Sequence, residues 1–100
     1  MNITITARKF KARETLKDFV KDEVKSLLKI NDDIISADVI LSYQNSHESI
    51  KKSEITIRIP GQTFVATEES DEFTKSVTVA VEKLLRQLKT LKSKRKSRVK

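Results

Sequence analysis

Residues 53–67, SEITIRIPGQTFVAT, decide how this 100-residue chain folds. Ile55, Ile57 and Ile59 alternate with Glu54, Thr56 and Arg58, and a period of two puts the isoleucines on one face of a strand. Pro60-Gly61 holds the only proline and the only glycine of the chain. A proline with its φ preset, followed by a glycine free to take positive φ, predicts a tight turn. The strand from about Ser53 to Ile59 therefore returns as a second strand near Thr63 to Thr67.

Working outward, two more alternating stretches appear. Ile3 and Ile5 oppose Asn2, Thr4 and Thr6 over residues 2–7. Over residues 34–44, Ala37, Val39, Leu41 and Tyr43 oppose Asp38, Ile40 and Ser42. Two stretches change period. From about Arg13 to Lys29, Leu16, Phe19, Val20, Val24, Leu27 and Leu28 recur at three and four residues, which predicts a helix with one apolar stripe. Asn31-Asp32-Asp33 ends it. After Ser70, whose hydroxyl is expected to cap the free amides, Phe73, Val77, Ala80, Val81, Leu84, Leu88 and Leu91 line a second helix. Asp71 and Glu72 suit the positive end of its dipole. Asn45 to Ser49 reads as a polar loop.

The order is β-α-β-β-β-α. Both stripes need a partner, and a four-stranded sheet with one apolar face can accept both. The expected fold is an α+β two-layer sandwich, with both helices on one face of the sheet. The other face, with Thr4, Thr6, Asp38, Ser42, Thr56 and Arg58, is expected to be solvated. One domain over 1–92 is expected. The apolar period stops at Leu91, so 93–100 reads as a frayed or disordered basic tail.

The composition excludes several classes of chemistry. There is no cysteine and a single histidine, His47, in the polar loop. Thiol catalysis, disulfides and zinc–thiolate sites are excluded, and a lone loop histidine does not build a triad. One glycine makes no phosphate cradle. The cluster Glu68, Glu69, Asp71 and Glu72 offers carboxylates to a cation, but its place before a helix explains the charge more simply. No enzyme, cofactor, metal or small-molecule substrate is expected. The N-terminus lacks a secretory pattern and no apolar run approaches a membrane span, so the expected setting is the cytoplasm, with no membrane partner.

Charge points elsewhere. The chain carries 21 basic and 14 acidic residues, a net +7. From Lys83 to the end stand Lys83, Arg86, Lys89, Lys92, Lys94, Arg95, Lys96, Arg98 and Lys100 with no acidic residue among them, while the first 82 residues hold 12 basic against 14 acidic. A helix end with uncompensated cations seeks an extended polyanion, and phosphate contacts make its binding salt-dependent. Lys17, Lys21, Lys25 and Lys29 form a row on the first helix, but Glu14, Asp18 and Asp22 share its polar side, so local ion pairing competes with polyanion contact. Arg8, Lys9, Lys11 and Arg13 lie just before that helix with no acidic neighbour until Glu14 and can join the same surface, with Arg8 counted among the candidate polyanion-binding residues. No aromatic pair sits on a central strand for base stacking, and Phe19 and Phe73 read as core.

The element order, Glu14-Thr15-Leu16-Lys17-Asp18-Phe19-Val20 at the first helix, and Lys83-Leu84-Leu85-Arg86-Gln87-Leu88 followed by Lys92 and Lys94 together resemble the ribosome hibernation promoting factor family, also called protein Y. The resemblance spans nearly the whole chain and is to a short member. It implies binding to the small (30S) ribosomal subunit between head and body, contacts of both helices with 16S rRNA, and occlusion of the messenger RNA and tRNA sites. It assigns Lys83, Arg86, Lys92 and Lys94 to the basic motif of the second helix and Lys17 to the first, with Lys21 and Lys25 following in its row. Glu68 stands where the family has a small residue and Glu72 where it has aspartate; both are expected to lie away from the basic surface. Whether such a chain pairs ribosomes, with a second dimerising factor, or only inactivates single ones is open. A general binder of double-stranded RNA and a protein-interaction regulator with a basic tail are the alternatives.

Overall fold

The computed structural model describes the backbone over residues 1–44 and 47–98, and side chains over 1–44 and 50–91. Strands β1 (Asn2–Ala7), β2 (Ser36–Gln44), β3 (His47–Ile59) and β4 (Gln62–Ser70) form one sheet in the order β1-β2-β3-β4. β1 runs parallel to β2, with Ile5 opposite Val39, and the other neighbours are antiparallel. Helix α1 (Glu14–Lys25) makes the crossover from β1 to β2, and α2 (Phe73–Arg98) closes the chain. The expected two-layer sandwich is the observed one.

The turn between β3 and β4 forms as its residues require. Ile59 pairs with Gln62, leaving Pro60-Gly61 as a two-residue loop, and Gly61 takes φ +79°. That value is the positive φ a type II turn needs after proline. A side chain at 61 would meet nothing within 4 Å, so the requirement for glycine is conformational rather than steric.

The core lies between the sheet and the helices. Val39, Leu41, Ile55 and Ile57 from the sheet are fully buried against Val20 and Val24 of α1 and Val77, Ala80, Leu84 and Leu88 of α2. Each large side chain so buried contributes roughly 1.5–3 kcal/mol relative to exposure. Two polar residues enter the core, Ser53 on β3 and Ser76 on α2, and their hydroxyls bond each other at 2.6 Å. Ser76 also donates to the Phe73 carbonyl at 3.2 Å. Phe10, Tyr43 and Phe73 form an aromatic trio at the start of α2, with ring centroids 5.1 to 5.6 Å apart. Only Phe73 of the three reads as core from sequence; Tyr43 joins by strand parity and Phe10 by the chain's return after β1.

Several boundaries differ from expectation. The first helix is α only to Lys25 and continues as a 3₁₀ turn over Ser26–Lys29. The Ser26 hydroxyl bonds the Glu23 carbonyl at 2.6 Å, a back-bond that competes with regular helix. The Asn31 side chain accepts the Asp33 amide at 2.8 Å, which fixes the predicted break as an Asx turn. β3 begins at His47, inside the stretch expected to be loop; Asn45 and Ser46 lie outside the described residues. Ser70 does not cap α2. It ends β4, its hydroxyl donates to the Asp71 carboxylate at 3.1 Å, and the first helical bond runs from the Ser76 amide to the Glu72 carbonyl at 3.1 Å.

The largest difference is at the end of α2. The helical backbone continues to Arg98, past Leu91, in place of the irregular tail expected from Ser93. Lysine and arginine are good helix formers, so the helix needs no apolar stripe to continue. Of the expected tail, Val99 and Lys100 lie outside the described residues.

Candidate nucleic-acid interface

α2 positions most of the predicted cations. Its buried residues recur at three and four, which leaves Lys83, Arg86 and Lys89 exposed on its flank and back. Lys92, Lys94 and Arg95 stand on the same helix further on, and their side chains lie outside the described residues. No acidic residue follows Glu82 in the chain.

Lys83 is not free, however. Its ammonium is bonded to the carboxylate of Glu68 on β4. This overturns the expectation that Glu68 lies away from the basic surface. The reason is strand parity. Phe64, Ala66 and Glu68 alternate with exposed Val65, Thr67 and Glu69, so Glu68 points to the helix side of the sheet. The Lys83 side chain is 51% exposed and that of Glu68 19%, so solvent screens the pair and it contributes no more than about 1 kcal/mol. Continuing the alternation of Phe64 and Ala66 by one step is the sequence signal that finds it.

The row on α1 takes a different place. Glu23 accepts the Thr78 hydroxyl of α2 at 3.1 Å, and Phe19 lines the same inter-helix recess as Thr74, Thr78 and Val79. Lys17, Lys21 and Lys25 are each two residues from Phe19 or Glu23, hence on the side of α1 turned away from α2. Lys21 and Lys25 are exposed; Lys17 is half-buried and pairs weakly with Glu14 at 3.9 Å. Lys83 is on the far flank of α2. The two helices are thus brought side by side, with Lys83 and the α1 row on opposite flanks of the layer, while Lys89, about three turns beyond Thr78, stands on the α1 side of α2. A ligand touching both flanks must cover a helix layer roughly 20 Å wide.

Arg8 joins neither row. It extends β1 by one residue, its amide donating to the Leu41 carbonyl at 2.9 Å, and it is exposed beside Lys9 at the opposite end of the domain from Lys89.

The acidic cluster resolves into separate partnerships. Glu68 bonds Lys83, Glu69 faces solvent on β4, and Asp71 and Glu72 hold Lys75 at 3.2 and 3.6 Å. Hydrogen bonding to Lys75 draws the Asp71 carboxyl below its ordinary pKa, and Asp71 in turn raises the Lys75 ammonium. Among the described residues no group of three histidine, cysteine or carboxylate side chains could hold a metal, and no helix is long and apolar enough to cross a membrane. His47 opens β3, but its side chain lies outside the described residues.

Comparison with known proteins extends this picture. Residues 3–96 match the family described as Sigma 54 modulation protein / S30EA ribosomal protein. The ribosome hibernation promoting factor of Pseudomonas putida is 27% identical over 97 residues, which cover 97% of this chain and 92% of that one. The N-terminal domain of Thermus thermophilus Protein Y superposes with a TM-score of 0.80 at 25% identity, covering 91% of this chain and 99% of that one. A ribosomal subunit interface protein from Coxiella burnetii shares the fold, with a TM-score of 0.83 at 24% identity over 93% of this chain and 99% of that one.

Proposed function

Because the chain belongs to the Sigma 54 modulation protein / S30EA ribosomal protein family, we propose that it binds the small ribosomal subunit and stops translation by occupying the messenger RNA and tRNA sites. The observation that carries this reading is the basic end of α2, where Arg86 and Lys89 stand exposed and no carboxylate follows in sequence. Arg86 can grip a phosphate through its planar fork, whereas the lysines supply point charges. Lys83, Lys92, Lys94 and Arg95 extend the contact along 16S rRNA, with Lys17, Lys21 and Lys25 meeting RNA on the far flank of the helix layer. Recognition is then by shape and phosphate spacing, with little reading of base edges. Occlusion needs no bond to be made or broken, so the protein acts without catalysis or cofactor, in the cytoplasm where ribosomes are.

Sedimentation through a sucrose gradient tests the reading. The protein should travel with the 30S or 70S peak, and an excess of duplex RNA should not displace it. Displacement by any duplex supports a general double-stranded RNA binder instead, and absence from every ribosomal peak at low salt defeats both. The same gradient reports a shift to a heavier peak if the protein, alone or with a second factor, pairs ribosomes.

A further inference from the structure

At the end of β1 the rim of the sheet opens into a cleft of about 590 Å3. Its position follows from strand register. Ala7 pairs with Leu41, so Arg8 stands beside Ser42, and Ser42 pairs with Lys52 on β3. Arg8, Ser42 and Lys52 thus form one row across three strands, on the face turned away from the helices. Lys9 then adopts φ +63°, a left-handed conformation that residues with side chains rarely take. Beyond this kink Phe10 packs on Tyr43 and Phe73, each 5.1 Å away between ring centroids. The aromatic wall of the cleft is therefore held by the core.

The lining is cationic. Arg8, Lys9 and Lys52 contribute positive charge, Ser42 and Gln44 contribute polar groups, and among the described residues no carboxylate takes part. Glu69 is the partner of Lys52 in strand register, but it does not line the cleft. A fork of guanidinium donors, two ammonium groups and a hydroxyl match a phosphate group. The volume falls in the range of small-ligand sites. Phe10 stacks on the first residue of α2, whereas Lys83 lies ten residues further on, about 15 Å along the helix. The cleft is thus separate from the basic end of α2.

We propose that this cleft is a second anion site, which takes the phosphate of a nucleotide-sized ligand, either a free nucleotide or one nucleotide of an RNA strand. The full chain should be titrated with adenosine diphosphate and, separately, with a six-residue oligouridine, while backbone amide resonances are followed. Saturable shifts centred on Arg8, Lys9, Ser42 and Lys52 are expected. The affinity read from these cleft resonances should fall at least tenfold in R8S/K52Q and stay within twofold in K83Q/R86Q, whatever K83Q/R86Q does to shifts on α2. Shifts with the diphosphate assign the site to free nucleotides; shifts with the oligomer alone assign it to RNA. The absence of cleft-centred shifts with both probes, or equal shifts in R8S/K52Q, overturns the proposal. Should R8S/K52Q lose the folded spectrum, Lys52→Gln alone carries the same comparison. Ribosome binding by α2 is read separately, since K83Q/R86Q weakens sedimentation with ribosomes whether or not the cleft is occupied.

Discussion

α1 and α2 lie side by side on one sheet face, yet they differ in what holds them and in what they present. α1 is short, gives way to a 3₁₀ turn, and carries lysines interleaved with Glu14, Asp18 and Asp22. α2 is 26 residues long, is pinned to β3 by the buried Ser53–Ser76 pair, and carries all its cations except Lys75 beyond its last carboxylate, Glu82. The difference teaches that the number of lysines on a helix does not measure its pull on a polyanion. What counts is whether acids share their face, and an acid can arrive from another element, as Glu68 does at Lys83.

The largest expected effect sets the two helices apart as structural elements. Leu84→Ala removes a fully buried side chain from α2 and should lower unfolding free energy by about 2–4 kcal/mol in urea titrations. Leu16→Ala on α1, where the side chain is only half-buried, should cost about 1 kcal/mol. Equal losses would break the contrast. Next, replacing Lys83, Arg86 and Lys89 by alanine should weaken ribosome binding about 10- to 100-fold at low salt with the fold intact. The matching triple change of Lys17, Lys21 and Lys25 should weaken it less than about fivefold, because local acids already offset those charges. A direct binding titration ranks the two.

The anchor of α2 is sharpened by a double-mutant cycle. Ser53→Ala or Ser76→Ala alone should cost roughly 1–3 kcal/mol, since each strands the other hydroxyl in the core. The double change should cost clearly less than the sum. Additive costs would show that the two hydroxyls act independently.

Smaller effects follow at the acids. Glu68→Gln frees Lys83 and should tighten ribosome binding about two- to threefold if Lys83 meets phosphate, with no gain if it does not. Asp71 has a folded pKa below its unfolded one because Lys75 bonds it. Its contribution to stability is present above the unfolded value and is lost as pH falls through the folded one. Lys75→Met should therefore lower stability slightly at neutral pH, leave it unchanged at pH below both values, and so make the acid limb of the stability profile shallower.

The fold was legible because three local signals agreed. The alternation around Ile55, Ile57 and Ile59, the Pro60-Gly61 turn and the two apolar stripes all implied the same two-layer packing. What sequence missed depended on competition or on distance. Ser70 looks like a cap, but β4 extends through it, and strand pairing with Lys51 takes precedence over capping. The apolar period ends at Leu91 and gives no sign of the helix beyond it, whereas lysine and arginine sustain a helix by propensity. Of the candidate surface, the cations of α2 were legible as a run. The Glu68–Lys83 contact and the grouping of Arg8 with Lys52 were not, because 15 and 44 residues separate the partners and only the register of the sheet joins them.

The central claim, that the cationic end of α2 engages rRNA phosphates, is tested most directly by the salt dependence of binding to purified small subunits. Log affinity should fall linearly with log salt concentration, and the slope should shrink by about one for each phosphate contact removed with Lys83, Arg86 and Lys89. A slope identical in the wild type and the triple variant would contradict it.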